Sequence, residues 1–413
     1  MRFSPVGSAL RDARLRRGLT QKEAGALLGY SASAISRIEC GGSVDVATLI
    51  QLATEYGVTL AQLGIGSVGS VLDAADRRHD VHRRQFLTLA TLSVPLWALT
   101  ALDDSLAILP EPTTNPSATP VAARLRVCRA WYDSDHNTQL VAGLPELLAV
   151  AHRSAEDCDR PEAWANLAAC YELATHTLSK LGRHQSSRLT ADRAITFARR
   201  SQSPVAVGLA SRALSIVLRH QDRADLAQRV NLDVLAEVEK TGLTTPEQRT
   251  VFVQLLCSAA YAAARGGDTG RAVELTAEAD RALCLLPARP THDATPTNAT
   301  ALSPAQVQLY KVSMYCALGD SGAALAAARG LRPAQFPTPE RRGRLFTDIT
   351  QAWWLHGRPD LAGQALLAAH RHAPAEIVDR RSVRTVADAL LENYPHLTEA
   401  RLLRAALASA APR

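Results

Sequence analysis

The stretch Leu19–Gly41, LTQKEAGALLGYSASAISRIECG, limits what this chain can fold into more than any other part of it. It carries the punctuation of two short helices joined by a tight turn. Thr20, with Glu23 three residues on, is a capping box that satisfies the orphan amides at the start of a first helix. Ala24, Leu27 and Leu28 give that helix one apolar face, and Gly29 ends it where a left-handed residue costs least. Ser31 caps a second helix in the same way. Ile35 and Ile38 fall three apart on its inner side, which is expected to leave Ala32, Ser33, Ser36 and Arg37 facing outward. Small side chains with one arginine on an exposed helix suit entry into a DNA major groove.

The flanks complete a small bundle. Residues 7–17 form an amphipathic helix with Leu10, Ala13 and either Leu15 or Ala9 toward the core, stopped by Gly18. Asp45 caps a fourth helix in which Leu49, Leu52, Ala53 and Tyr56 repeat at helical spacing, and Thr59 caps a short fifth carrying Leu60 and Leu63. Residues 1–66 are therefore expected to be a five-helix bundle.

In order, the segment shows L-x-x-x-R, G-L-T-Q, L-G-Y-S, I-S-R-I-E-x-G and a trailing L-x-x-L-A-x-x-x-G-V. From Ser8 to Gly64 this resembles the lambda-repressor-like helix-turn-helix family, also called the xenobiotic-response-element family. The resemblance implies a DNA-binding domain whose second motif helix reads base edges in double-stranded DNA. Carried onto this sequence, the base-reading residues are Ala32, Ser33, Ser36 and Arg37, with Arg37 the strongest since a bidentate arginine to guanine is the commonest specific contact. Gln21 matches the family glutamine that anchors a phosphate, with Thr20, Arg14 and Arg17 as further phosphate contacts. For the arginines a solvated helix face is the competing reading. Glu39 is expected to be structural, paired with an arginine such as Arg14, because an outward carboxylate would be repelled by the DNA backbone. Two departures stand out: Gly25, where a larger apolar residue is usual and packing would loosen by up to about 1 kcal/mol, and Gly41-Gly42-Ser43, where some members carry basic residues.

Charge supports this placement. The formal net charge is +6 with a pI near 9.1, which permits nucleic-acid binding without demanding it. Arg2, Arg11, Arg14, Arg16 and Arg17, against Asp12 alone, concentrate the excess just ahead of the motif. The seven cysteines are scattered, with no C-x-x-C pair or zinc spacing, so reduced core residues in a cytoplasmic protein are expected; Cys40, at the end of the reading helix, is the one candidate for a redox role.

Residues 67–120 change character. A charged stretch, VLDAADRRHDVHRR, precedes QFLTLATLSVPLWALTAL, which has no charge between Phe86 and Leu102. Arg83 and Arg84 ahead of it give a superficial twin-arginine export signal, but such signals sit at the N-terminus. Broken by Pro95 and diluted by Thr and Ser, the run falls at or under the minimum for a membrane span. An apolar helix over 86–102 that docks on the following domain or pairs two protomers is expected, followed by a Pro/Thr-rich flexible tail to residue 120.

Residues 121–413 repeat. Turns recur as LGRHQS, RHQDRAD, RGGDTGRA, LGDSGAA and HGRPDLA, each preceded and followed by alanine-rich helical segments that can approach closely. The widest interval holds a Pro/Thr-rich insertion, LPARPTHDATPTNATALSP, which must be a loop. Hydrophobic residues make up 47% of the chain and aromatics 5%, which suits close-packed helices rather than sheets. The segment resembles a degenerate tetratricopeptide array, closed at its C-terminus by a capping pair over residues 380–408 with Val383, Val386, Leu390, Leu391, Leu402 and Leu407. The fold class expected is all-α, a five-helix DNA-binding bundle followed by a right-handed α-solenoid of helical hairpins.

No P-loop, dinucleotide fingerprint, H-E-x-x-H or G-x-S-x-G occurs, and no metal or cofactor is expected. The chain does not read as an enzyme. Its two parts together resemble helix-turn-helix plus tetratricopeptide regulators of actinobacterial type, including the peptide-sensing kind. That implies a homodimer, and a repeat domain that responds to a peptide, small-molecule or protein effector. Trp164, Tyr171, Tyr261, Tyr315 and Trp353 are candidates for the ligand face, aromatic core filling being the alternative for each. A second function class remains open: a helical-repeat interaction scaffold localised by DNA contact, membrane-associated if 86–102 inserts.

Overall fold

The computed structural model describes residues 5–28, 30–39, 48, 52, 55–56, 93–113, 119–285 and 302–410. All regular structure among them is helical. The chain divides into two compact units, Met1–Thr88 and Leu89–Arg413. The expectations for Gly29, Cys40, the fifth helix, most of the fourth and the Pro/Thr insertion lie outside the described residues.

In the first unit, α1 (Pro5–Arg16), α2 (Gln21–Leu28) and α3 (Ala32–Glu39) surround Leu10, Ala13, Ala24 and Ile35, with Leu52 and Tyr56 from the fourth-helix segment. Two glycines set how closely these helices pack. A Cβ on Gly7 would stand 2.3 Å from the Glu39 carbonyl oxygen, and one on Gly25 would stand 2.4 Å from the Tyr30 carbonyl oxygen. Gly25 therefore does not loosen the bundle; it lets α2 fold tightly onto the turn. With Ala24 and Gly25 at the centre of the buried face, Leu27 is rotated out and is 62% exposed, contrary to its expected burial. Leu15 also faces solvent, because Arg14 takes the inward position one residue earlier.

The second unit opens with α4 (Leu96–Ala107), which begins after Pro95, as the locked proline φ favours, and runs past the expected limit of residue 102. Its buried stripe, Ala98, Leu99, Leu102 and Leu106, joins the first core of the unit, while Leu96 and Trp97 stay exposed. This apolar helix packs on the domain that follows it, and no helix among the described residues is long and apolar enough to cross a membrane. The Pro/Thr-rich tail is tied down in part: Thr113 donates through its amide and hydroxyl to Glu146, and Glu111 pairs with Arg153 at 2.8 Å.

Hairpins follow in succession: α5 (Val121–Asp133) with α6 (Asn137–Cys158), α7 (Pro161–Lys180) with α8 (His184–Arg200), α9 (Pro204–His220) with α10 (Ala224–Glu239), and α11 (Pro246–Gly266) with α12 (Thr269–Ala282). Then come α13 (Pro304–Leu318) with α14 (Ser321–Ala328) and α15 (Pro339–Leu355) with α16 (Pro359–His372). The five recurring turns fall where their sequences place them. Each carries one left-handed residue, at Gly182, Asp222, Gly267, Gly319 and Gly357. Pro at the first helical position and a capping box at Thr245–Gln248 and Ser303–Gln306 start α11 and α13. The short α17 (Ala375–Asp379) leads into α18 (Arg381–Asn393) and α19 (Thr398–Ala410), the expected terminal pair. There Leu403 is buried and Leu402 is 53% exposed, one position off the expected register.

Two layers result. Each of α5, α7, α9, α11, α13 and α15 touches the next of its set, and α15 returns to touch α5, so these six inner helices close a ring. Ring closure is not implied by a stack of hairpins that grows in one direction. It depends on a buried polar seam. Lys180 Nζ lies 2.8 Å from Asp135 and 2.6 Å from Glu376, and Asp135 accepts from the Ala375 amide at 2.8 Å. Asp379 accepts from Asn137 Nδ2 and the Ser93 hydroxyl, each at 2.6 Å, while Arg380 bridges Glu376 and Glu340. Burial pushes the Glu376 carboxyl up, but Arg380 and Lys180 outweigh it and hold the group well below the usual carboxylate range.

Candidate nucleic-acid interface

Two caps build the motif, the first of them reciprocal. The Thr20 amide and hydroxyl donate to Glu23 Oε2 at 2.8 and 2.7 Å, and the Glu23 amide returns a bond to the Thr20 hydroxyl oxygen at 3.2 Å. Those bonds hold the Glu23 carboxyl below its ordinary range. Ser31 Oγ accepts from the Ala34 amide at 3.2 Å and shares a bond with Ser33 Oγ at 2.9 Å. Tyr30, whose hydroxyl bonds Thr48 at 2.9 Å, anchors the turn to the fourth-helix segment.

On α3, Ala34, Ile35 and Glu39 are buried. Ser33 and Arg37 are exposed and Ala32 and Ser36 half-buried, so the four expected base readers form one contiguous outward stripe. Thr20 and Arg17 are exposed beside the start of α2, where the free amides and positive end of a helix favour a phosphate.

Arg14 is a correction. Its guanidinium donates through Nε and Nη2 to Glu39 at 2.5 and 3.0 Å and through Nη1 to the Leu19 carbonyl at 2.6 Å. A side chain bound on all three nitrogens and 6% exposed is not offered to DNA. The Gln21 amide also donates to Glu39 Oε2 at 2.9 Å. Its side chain therefore positions the start of α2 against the end of α3. The expected ion pair of Glu39 with Arg14 is present; the part played by Gln21 in it was not legible, because an i to i+18 bond has no local sequence signal.

The aromatic residues expected to share a ligand face do not share one. Trp164 and Tyr171 are 4% and 1% exposed and stack on Phe197 between α7 and α8, at centroid distances of 5.8 and 5.5 Å. Tyr171 is fixed further by a 2.8 Å bond to His152. These two are core residues, which corrects their assignment as ligand contacts. Tyr315 packs against two apolar cores, Trp353 meets His356 edge-on, and Tyr261 lies under the buried Arg219 guanidinium. Charged and phenolic groups reach the ring interior instead: Arg212 Nη2 donates to the Tyr310 hydroxyl at 3.0 Å, joining α9 to α13 past the α11 helix that separates them.

Residues 10–63 match the family model described as helix-turn-helix. This supports a DNA-binding regulator, and the family is one of DNA-binding proteins rather than enzymes. Comparison with curated proteins and with solved structures finds no match.

Proposed function

We propose that the chain is a sequence-specific transcriptional regulator that reads double-stranded DNA with Ala32, Ser33, Ser36 and Arg37, and that its helical unit senses an effector. The observation that supports the reading is the outward stripe on α3, set beside a capped α2. Arg37 supplies the discriminating contact; the serines donate or accept and tolerate several bases. Arg17 and the first amides of α2 hold the DNA backbone and fix the register, while Thr20, whose amide and hydroxyl are both given to Glu23, shapes the start of that helix. One such helix makes too few base contacts for useful specificity. The working form is therefore a homodimer, with two heads on half-sites about one helical turn, roughly 34 Å, apart. The effector, a peptide, small molecule or protein, acts by binding one arrangement of the dimer more tightly than another.

Selection of binding sites from random DNA with the full chain tests this. Enrichment of an inverted repeat with half-sites one turn or a whole number of turns apart is expected. Recovery of no sequence preference would exclude the reading.

A further inference from the structure

The ring closed by α5, α7, α9, α11, α13 and α15 has an interior of its own. Six rods of about 10 Å diameter in mutual contact around a ring leave an axial space about one rod wide. Side chains from helices that are not neighbours in the ring meet in it. The bond from Arg212 to Tyr310 bypasses α11, so both point inward. From α7 come Glu172 and His176, paired at 3.1 Å. Arg129 from α5 and Arg341 from α15 lie within electrostatic reach of this group, Glu172 and His176 being shifted by Arg129 and Arg212 and Tyr310 by Arg212 and Arg341. Of these side chains, 28% of Arg341 and 12% of His176 stay exposed.

We propose that this lumen is the effector site and that it takes a small oxyanion, a molecule bearing a carboxylate or phosphate, held between Arg129, Arg212 and Arg341. The inference rests on reading the helical unit as the sensing part. Guanidinium donors are left for such a ligand: Nε and Nη2 of Arg129 and Nε of Arg212 are enclosed with no hydrogen-bond partner. A buried donor without an acceptor is costly, and a planar fork suits the paired oxygens of these anions. The local potential has the right sign. Burial pushes the Glu172 carboxyl and the Tyr310 phenol upward, yet both lie below their ordinary values: His176, Arg129 and Arg212 outweigh burial at Glu172, and Arg212 and Arg341 do so at Tyr310. The remaining acids do not cancel it. Glu340 is engaged by Arg380 and Arg341, each at 3.3 Å, and burial raises the Asp133 carboxyl toward its neutral form.

Titration calorimetry on the full chain without DNA, at constant ionic strength, tests the site with citrate as the carboxylate probe and inorganic phosphate as the phosphate probe. Sodium chloride and glucose are the controls. Saturable binding of citrate or phosphate is expected, and the one that binds identifies the headgroup. Arg129→Gln and Arg212→Gln should each weaken it at least tenfold, while Tyr310→Phe, which frees Arg212 without changing charge, should not weaken it. If a Gln variant fails to fold, the corresponding Lys variant decides, since it keeps the charge and loses the fork; weakening by Lys supports the site. No saturable binding of either probe, or equal affinity in wild type and the arginine variants, overturns the proposal. Because no DNA is present, that failure is distinct from a failure of DNA recognition.

Discussion

The guanidinium of Arg14 grips both oxygens of Glu39 across a sequence separation of 25 residues, with 6% and 2% of the two side chains exposed. This pair joins the end of α1 to the end of α3, and Gln21 adds the start of α2 to the same carboxylate. α3 is thereby fixed relative to α1 and α2 by one buried charge cluster. Removing one partner leaves the other buried and uncompensated, at a cost of about 3–5 kcal/mol.

Arg14→Lys separates a structural role from a DNA contact. The charge is retained, so a phosphate contact would largely survive, but the two-pronged grip on Glu39 is lost. Faster amide exchange in α1 to α3, with reduced binding to cognate and random DNA alike, is expected. Unchanged exchange with a smaller salt dependence of binding would return Arg14 to the phosphate contacts.

Arg37→Ala should act differently. Loss of a bidentate base contact is expected to lower cognate affinity by about 1–3 kcal/mol while binding to random DNA barely changes. Fluorescence anisotropy on a selected site and on a scrambled one measures the difference. Equal losses on both would make Arg37 a phosphate contact.

Gly25→Ala opposes two effects of known size. Alanine gains up to about 1 kcal/mol of helix propensity, but its Cβ would meet the Tyr30 carbonyl oxygen at 2.4 Å. Overpacking against backbone costs about 1–3 kcal/mol, so net destabilisation of the first unit is expected in thermal or urea unfolding. A stabilised variant would show that the approach of α2 to the turn is looser than 2.4 Å implies.

His176 gives the second unit a pH dependence of known sign. Burial lowers its affinity for a proton, Glu172 opposes this, and Arg212 and Arg129 add to the lowering. The folded state therefore binds the proton less tightly than the unfolded chain. Its stabilising contribution is full above the ordinary histidine value of about 6.5 and is lost as pH falls toward the lower folded value. The unfolding midpoint of the second unit should drop on acidification below about pH 6.5, and His176→Gln should flatten part of that slope. An identical slope in the variant would place the pH dependence in other groups.

How much was legible depends on the range over which each signal acts. The caps at Thr20 and Ser31, the five turns between paired helices and the terminal pair were readable, because capping and left-handed termination are decided within about four residues. Helix faces were readable only to within a position or two. Leu27 and Leu402 were assigned inward and Leu15 was one of two alternatives with Ala9; all three leucines face solvent, since Gly25, Leu403 and Arg14 take the inward direction beside them, and Ala9 packs on the core.

The candidate site divides in the same way. The stripe of Ala32, Ser33, Ser36 and Arg37 follows from the position of Ile35 on one short helix, so the sequence by itself determined which side chains a partner would meet there. It equally determined that the chain is helical and made of close-packed pairs. Tertiary structure alone decided that Arg14 is locked to Glu39, that Trp164 and Tyr171 belong to a core, and that six inner helices close a ring. Each of these outcomes depends on groups far apart in the chain. Local sequence sets a residue's direction around its own helix axis, but its environment is supplied by other helices, and only packing determines which ones meet it.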